Sequence, residues 1–535
     1  MDKAKAVFFG GERGRARRAA VTCGGAAIYA LLYALCSQID EAGICLPGEA
    51  VKRFLLALPA AFFALVLLFR AVLPMTHRQR CERKTRFCTF WAFALLFLAY
   101  VPMFLIEYPG SFRYDAQQQT FQISAHAYNV FHPLLHTLLL EACLSTMNAF
   151  GSLEKSAALY SLVQMALLSG CFALTAASVS RMRSRRAGRL TLLFFMLYPA
   201  HMAFASNCAK DVLFSGCFAL FLAYSLETLA KGKLSPLHAV LHMVSGVLAC
   251  QLRNNMIYAM IAWTAVILLS GRKLRRLALC ALLTTVLSFG VQSGLRALTH
   301  AAEGSVGEML SVPAQQLARA RMDADERLTE DEKQQIAQLI PTYALYQPDI
   351  ADPVKNSIDA KLLKADPQAA LSLWLEVGKK CPDAYLNAFL GLTLPSLYPY
   401  RSYPGTAQYI EIGLGEEVLA KPYGLEPMSQ PGRFAPARRW LEENIFADGA
   451  DGIPVVKWLF NCGAVFWLLF LLFLYSAYRG DWTRTAALFL PVLLWGTYLL
   501  GPVMQGRYLY PFLCALPLFF VIFGSREGED ADNKE

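Results

Sequence analysis

Runs of about twenty apolar residues recur along most of this chain, and they limit its fold more than any other feature. One example is "FLLALPAAFFALVLLFRAVLP", which covers residues 54–74. A helix of this length crosses the hydrocarbon core of a bilayer, so the runs predict an all-α polytopic membrane protein. We predict twelve spans, near 21–39, 54–74, 87–107, 156–180, 190–206, 211–230, 236–252, 255–270, 275–295, 456–477, 484–501 and 507–524.

The composition agrees with this class, because 56% of the residues are hydrophobic and only 17% are charged. The net charge of +10 lies in clusters beside the spans and not in a soluble basic domain, so nucleic-acid binding is a poor interpretation. Most of the fourteen cysteines lie inside apolar runs and show no CxxC spacing. The sequence therefore predicts neither a disulfide framework nor a cysteine metal site.

The basic clusters predict how the chain is oriented, because Lys and Arg are enriched in cytoplasmic loops. They occur at 3–18, 77–86, 181–189, 231–233, 271–276 and 479–484. If all of them are cytoplasmic, the number of crossings between consecutive clusters is even. Three apolar stretches lie between residues 86 and 181, so we predict that 127–150 is an outer juxtamembrane helix that does not cross. Both termini are then cytoplasmic.

Residues 296–455 form the one long polar block, and this orientation makes it an extracytoplasmic domain, mixed but mainly helical. In "DERLTEDEK" the acidic residues after Thr329 indicate a helix that begins with Thr329 as its N-cap. Segments rich in Pro, Gly and Tyr follow, such as 391–405. The predicted units are two N-terminal spans (1–86), a transmembrane module (87–295), this domain (296–455), and C-terminal spans with a tail (456–535).

Polar residues at the ends of separate spans all fall on the predicted outer face. Ionisable residues at membrane depth are costly, so we treat them as functional candidates. They are Asp115 and Gln118 after the third span, His132 and His136 in "FHPLLHT", Lys210 and Asp211 in "NCAKDVLF", Arg253 and Asn254 in "QLRNNM", and Gln505, Arg507 and Tyr508 in "QGRYLYP".

Each candidate also has a purely structural explanation. Asp115 could cap a helix, and Lys210 with Asp211 could be an interfacial ion pair. His132 and His136, four residues apart on one helix face, are half of a metal site or simply hydrogen-bonding residues. Arg253 could be an anchor at the interface, and "GRYLYP" could belong to an aromatic belt. The combination on one face is a stronger signal than any single member.

The order "YPGSFRYDAQQQ", "HPLLHT", "KDVLF" and "RYLYP" resembles the GT-C glycosyltransferases. The chain is also similar to a group of GT-C-like membrane proteins of Gram-positive bacteria, which share "YPG…D…Q", "KDV.F" and "PAQQ.AR" stretches. The resemblance implies a GT-C-like fold in the bacterial plasma membrane. It also implies a polyprenyl-phosphate-linked sugar as donor and a glycan, lipid or protein as acceptor. A catalytic acid is expected in the first outer loop, at Asp115, and a further acid in the second, at Asp211.

Two departures from the GT-C pattern affect these implications. The first outer loop has the single acid Asp115, whereas paired acids hold the ion in metal-dependent members. A divalent metal ion is therefore left open as a cofactor, and no metal ligand is assigned. The second proline of the juxtamembrane motif is replaced by Leu134.

The expected chemistry assigns a role to each type of residue. Sugar transfer from a lipid phosphate needs a general base for the acceptor hydroxyl and positive charge for the leaving phosphate. Asp115 is the candidate base, Asp211 its rival, and His132 a weaker one. Arg253, Arg507 and Lys210 are expected to hold the phosphate. The remaining candidates, such as Gln118, would bind sugar or phosphate without adding charge.

Other functions remain open from the sequence alone. A transporter or lipid flippase would usually show polar residues at midplane depth and two related halves, and neither is found here. A polymerase or ligase of envelope polymers would also use a large outer loop and arginines. A scaffold would use residues 296–455 to bind a partner and would not depend on Asp115.

Overall fold

The structure is a computed structural model, and it describes residues 12–77, 87–112, 115–231, 235–271, 274–304, 306–400, 434–444, 461–480 and 482–521. Several predicted features lie wholly or partly outside these residues: the basic clusters at 3–18, 77–86, 231–233, 271–276 and 479–484, the spans at 456–477 and 507–524, the last part of the polar block, and the C-terminal tail.

The described residues are almost entirely helical, and their only β pairing is four isolated bridges. The α-helices are α1 Glu12–Ala42, α2 Pro47–His77, α3 Thr89–Ile106, α4 Asp115–Ala125, α5 Leu134–Leu144, α6 Met147–Phe150, α7 Leu153–Met182, α8 Arg185–Leu197, α9 Pro199–Ala205, α10 Lys210–Lys231, α11 Pro236–Leu252, α12 Met256–Leu269, α13 Arg275–Thr299, α14 Ser311–Asp323, α15 Glu330–Leu339, α16 Asp352–Lys355, α17 Ala360–Ala365, α18 Pro367–Lys380, α19 Pro382–Leu397, α20 Ala435–Asn444, α21 Cys462–Arg479, α22 Trp482–Tyr498 and α23 Tyr510–Val521.

Side-chain caps fix the starts of several apolar helices. The Ser152 hydroxyl accepts from the backbone N–H of Lys155 at the start of α7, and Ser184 caps α8 in the same way. Asn461 caps α21 by accepting from the N–H of Ala464. Such caps satisfy backbone donors that a helix leaves unpaired at its first turn.

Within the described ranges, seven helices are long and apolar enough to cross a membrane: Gly14–Ala42, Pro47–Ala71, Thr89–Ile106, Leu153–Met182, Lys210–Ala230, Arg275–Thr299 and Cys462–Arg479. Four further apolar helices are shorter: Leu134–Phe150, Pro236–Leu252, Met256–Leu269 and Thr485–Tyr498. The prediction of an all-α polytopic membrane protein is thus confirmed at this level.

Helix α10 lies at the centre of the bundle, since 94% of the residues in its most apolar stretch are buried. It packs mainly against α7, α11 and α23. In contrast, α13 exposes large side chains such as Leu283, Val286 and Leu287, as expected of a helix that faces lipid.

Helices α3 and α7 meet at one end of the bundle. The Ser161 hydroxyl near the start of α7 donates to the carbonyl of Pro109, just after α3, at 2.7 Å. The segment between them therefore leaves and re-enters the bundle at the same end. Its helix α5 has 11 residues, about 17 Å at the α-helical rise, against a hydrocarbon core of about 30 Å. This geometry supports the prediction that 127–150 does not cross.

Helices α14 to α19 form a small helical unit with its own apolar core, which includes Leu317, Ile336 and Val377. The predicted N-cap is confirmed, because Thr329 and Glu332 form a reciprocal capping box at the start of α15. Helix α19 continues into the Pro-rich segment as far as Leu397, with Pro395 inside it. Its last turns pack against α1 and α21.

The helical unit sits at the same end of the bundle as Asp115. Ala351 donates its N–H to the carbonyl of Pro502, before α23, at 2.7 Å. The Lys355 ammonium lies 5.9 Å from the ring centroid of Phe131, next to His132. The unit therefore contacts the loops that carry the candidate residues.

Candidate functional site

The loop after α3 and the loop before α10 are joined by backbone hydrogen bonds. Ser111 donates its N–H to the carbonyl of Ser206 at 3.0 Å, and Cys208 donates to the carbonyl of Ser111 at 2.7 Å. Gly110 has a φ of +127°, and a Cβ there would lie 2.9 Å from the Ser206 carbonyl oxygen. Only glycine suits this position, so the "YPG" turn brings the Asp115 loop against the Lys210 loop.

Asp115 is the first residue of α4, and one of its carboxylate oxygens binds two cations. Its Oδ2 lies 2.9 Å from Nη1 of Arg507 and 3.1 Å from Nζ of Lys210. Among the described residues, Oδ1 has no hydrogen-bond or ion-pair partner. Because 13% of the side chain is exposed, a ligand can reach this second oxygen.

The two cations control the ionisation of Asp115. Burial by itself raises the pKa of this carboxyl, but the charges of Arg507 and Lys210 outweigh burial and hold the pKa well below its usual range. Asp115 is therefore ionised at neutral pH. It is also a weak proton acceptor for as long as both cations stay bound to it.

Asp211, the residue after Lys210, is shielded from solvent. Its side chain is 0% exposed, and its Oδ1 forms an ion pair with Arg253. Its Oδ2 lies 3.8 Å from Nε of Arg507. The Arg253 guanidinium is held between two aromatic rings, 4.4 Å from the centroids of both Tyr498 and Tyr508. Such stacking fixes the guanidinium in place.

These contacts form one chain of alternating charges, which we call the Asp115 cluster: Lys210, Asp115, Arg507, Asp211 and Arg253. It holds three cations and two carboxylates, and so carries one net positive charge among the described residues. A partly buried charge that is not balanced is costly, and a bound anion would lower that cost. The cluster is therefore suited to bind an anion.

His132 orients Lys210. Its Nδ1 lies 3.1 Å from Nζ of Lys210, and its Nε2 lies 3.2 Å from Oε1 of Gln118. Because an ammonium group only donates, Nδ1 accepts and Nε2–H donates to Gln118. Burial, followed by the charge of Lys210, lowers the pKa of His132 to about 3. His132 is thus neutral at neutral pH, with its lone pair already in use.

His136 is fully buried and lies four residues after His132. Its Nδ1 is 3.0 Å from Oε1 of Gln119, and its Nε2 is 2.7 Å from the hydroxyl of Tyr160. Tyr160 donates to Gln164, whose amide donates to the backbone of the loop before α10 at 2.7 Å. His136 therefore links α4, α5 and α7 through hydrogen bonds within the protein. Its position suits a positioning role better than contact with a substrate.

The other predicted residues lie around this arrangement. The Asn254 amide donates to the carbonyl of Val130 at 3.1 Å, and so connects the start of α12 to the His132 loop. Gln505 is partly exposed, and its carbonyl accepts from the N–H of Tyr508 at 3.0 Å. The structure thus brings all of the predicted loops to one end of the bundle.

A divalent metal ion does not fit these residues. Asp115 and Asp211 already face guanidinium or ammonium groups, which would repel a metal cation. Nowhere in the described part of the chain do three His, Cys, Asp or Glu side chains form a group that could hold a metal.

Sequence reasoning missed three residues of this region. Tyr498 ends α22 inside an apolar run, and nothing in the sequence distinguishes it from a belt residue. Tyr160 and Gln164 are polar residues four apart within a predicted span, so they share one helix face. That spacing was a signal that the span faces a polar interior on this side.

No curated protein and no solved structure matches this chain. Residues 124–535 match the sequence model of a protein family, which is more than half of the chain. The matched region includes every candidate residue except Asp115 and Gln118, which precede it. The chain belongs to this family, DUF6020, which is described as a family of unknown function.

Proposed function

We propose that this protein is a membrane glycosyltransferase of the GT-C type. It would move a sugar from a polyprenyl-phosphate-linked donor to an acceptor of the bacterial cell envelope, at the outer face of the plasma membrane. The observation that carries this proposal is the Asp115 cluster. It combines a net positive charge with one carboxylate oxygen that has no partner among the described residues.

The cations suit a lipid phosphate at the membrane surface. Lys210 uses one ammonium proton for His132 and one for Asp115, so its third proton can bind a phosphate oxygen. Arg507 offers a planar fork of donors beside Lys210. Arg253 adds positive charge on the side of the buried Asp211. A donor that is anchored in the bilayer would enter from the lipid, with its phosphate at the ends of the spans.

The exposure of the two acids supports Asp115 as the general base. Asp211 is 0% exposed and pairs with Arg253, whereas Asp115 is 13% exposed and its Oδ1 has no partner among the described residues. In the proposed reaction Oδ1 of Asp115 takes the proton of the acceptor hydroxyl. The acceptor oxygen then bonds to the anomeric carbon, and the bond from that carbon to the phosphate oxygen breaks. The phosphate leaves with the electron pair of that bond, and because the acceptor attacks from the opposite face in a single step, the anomeric configuration inverts.

The finer topology is part of this proposal. The seven long helices and five further segments, namely α8 with α9, α11, α12, α22 and α23, would give twelve spans with both termini cytoplasmic. Cysteine-accessibility labelling should then find residue 184 inside and residue 350 outside. Finding residue 184 outside would place the Asp115 cluster on the cytoplasmic side and contradict an extracytoplasmic reaction.

The decisive test compares Asp115→Asn with Asp211→Asn in membranes supplied with undecaprenyl-phosphate-linked sugars and envelope acceptors. Asp115→Asn removes the base and keeps the shape, so transfer should fall by ~10²–10⁴-fold. Asp211→Asn should weaken donor binding through Arg253 and leave the proton transfer intact. Near-normal turnover in Asp115→Asn with an inactive Asp211→Asn would reverse the two roles. Near-normal turnover in both variants would contradict the glycosyltransferase itself.

A further inference from the structure

We propose that Asp115 acts as an internal counter-anion, which occupies the cations of the donor site until a phosphate displaces it and so frees its carboxylate to act as base. This inference rests on the proposed function. It adds an order to the reaction, because the base becomes competent only after the phosphate has bound.

The geometry supports competition for the same two donors. Arg507 and Lys210 both contact Oδ2 of Asp115, at 2.9 and 3.1 Å, although Oδ1 has no partner among the described residues. Carboxylate and phosphate oxygens are equivalent acceptors for guanidinium and ammonium groups. A phosphate that approaches Arg507 and Lys210 therefore meets donors that already bind the Asp115 carboxylate. It must share these donors with Asp115 or displace Asp115 from them.

The charge of the cluster fits this exchange. Three cations face two carboxylates, so one phosphodiester charge makes the cluster neutral. During transfer the phosphodiester becomes a phosphate monoester with a second charge, while Asp115 gains a proton and loses its own. The cluster stays neutral before and after the step, and no buried charge is left without a partner.

The exchange would also change how strongly Asp115 attracts a proton. Arg507 and Lys210 face its carboxylate directly, neutral His132 stands behind Lys210, and the Asp211–Arg253 pair lies beyond Arg507. As long as both cations bind Oδ2, the pKa of Asp115 stays well below its usual range. Moving them onto a phosphate removes the main cause of that shift, and a stronger base forms beside the acceptor.

The test measures phosphate binding to the purified full chain in detergent by calorimetry, with inorganic phosphate and farnesyl phosphate as probes. Asp115→Asn removes the competing anion, so it should bind farnesyl phosphate about tenfold more tightly than the unmodified protein, the equivalent of one charge-assisted hydrogen bond. Arg507→Ala should bind it more weakly. Glu227→Gln also neutralises a buried carboxylate, but at the other end of α10, and it should leave the affinity unchanged.

The outcomes separate this inference from the proposed function. Unchanged or weaker binding by Asp115→Asn would overturn the counter-anion and leave the donor site intact. If neither the unmodified protein nor Asp115→Asn bound either probe, the donor site itself would be contradicted. Tighter binding of farnesyl phosphate than of inorganic phosphate is expected for a lipid headgroup, and equal binding would overturn a lipid source.

A second measurement compares proton uptake by the unmodified protein and by Asp115→Asn. The dependence of the binding enthalpy of farnesyl phosphate on the ionisation enthalpy of the buffer gives the number of protons exchanged at pH 4.5. Protons exchanged by the phosphate itself are common to both proteins, so the unmodified protein should take up more protons, because only it has a displaced carboxylate to protonate. Equal proton exchange by the two proteins would mean that the cations stay on Asp115, and it would overturn the exchange.

Discussion

The two ends of α10 carry two buried ion clusters that look alike in residue type but differ in organisation. At the C-terminal end Glu227 is bound by Arg181, whose Nε and Nη2 lie 2.7 and 2.8 Å from its two carboxylate oxygens. Ser178 donates to the same carboxylate at 2.7 Å. Asp211 and Glu227 are 16 residues apart, about 24 Å along the helix.

The difference separates an ion pair that holds helices together from one that is available to a ligand. Glu227 and Arg181 balance each other, and both oxygens of the carboxylate are bound by α7. The Asp115 cluster has an excess cation, and one carboxylate oxygen has no partner among the described residues. A buried carboxylate whose charge is balanced and whose two oxygens are both bound indicates a structural role. A partly buried cluster with an excess charge and an oxygen that lacks a partner among the described residues indicates a functional one.

The largest expected effect on stability belongs to the Glu227 end. Arg181→Leu leaves the buried Glu227 carboxylate without its guanidinium, so unfolding in detergent should require about 3–5 kcal/mol less. The double variant Arg181→Leu with Glu227→Leu should recover most of this loss, because a balanced pair can be replaced by apolar side chains. Failure of the double variant to recover would show that the pair does more than hold α7 to α10.

A smaller effect is expected from Arg507→Lys at the Asp115 end. Lysine keeps the charge but loses the planar fork, so affinity for farnesyl phosphate should fall by about 1–3 kcal/mol. Arg181→Lys serves as the matched control and should leave this affinity unchanged. Equal phosphate binding by Arg507→Lys and the unmodified protein would remove Arg507 from the donor site.

The smallest effect is a pH dependence that depends on His132. Its pKa is about 3 in the folded protein and 6.5 as a free side chain, so below pH 6.5 the unfolded chain binds a proton that the folded protein does not. The free energy of unfolding should therefore decrease as the pH is lowered from 6.5 towards 3, by about 1.4 kcal/mol per pH unit from this group. His132→Gln should flatten that slope between pH 6 and 4.5. An unchanged slope would mean that His132 is already protonated in the fold.

The sequence predicted the class of the molecule and the gathering of its polar loops for clear physical reasons. Apolar runs of membrane length and the placement of Lys and Arg follow from the cost of exposing polar groups to lipid. Thr329 was predicted as an N-cap from local chemistry, and the capping box confirms it. The atomic pairing was not accessible, because Arg507 and Asp115 are 392 residues apart.

The candidate acids show most clearly where sequence reasoning ended. Asp115 and Asp211 follow different spans, and the sequence left them as rivals for one role. The difference lies in burial and in the choice of partner: Asp211 is fully buried and pairs with Arg253, whereas Asp115 binds two cations through Oδ2 and has no partner for Oδ1 among the described residues. Such contacts depend on how α10, α12 and α23 pack, and no local pattern encodes them.

The most direct measurement compares Asp115→Asn with Glu227→Gln in one set of membranes, recording sugar transfer per folded molecule together with thermal stability. Asp115→Asn should lose transfer by ~10²–10⁴-fold while its fold persists. Glu227→Gln should lose stability and keep the transfer rate of its folded fraction. Normal transfer by folded Asp115→Asn, or loss of transfer in folded Glu227→Gln, would contradict the assignment of function to the Asp115 end alone.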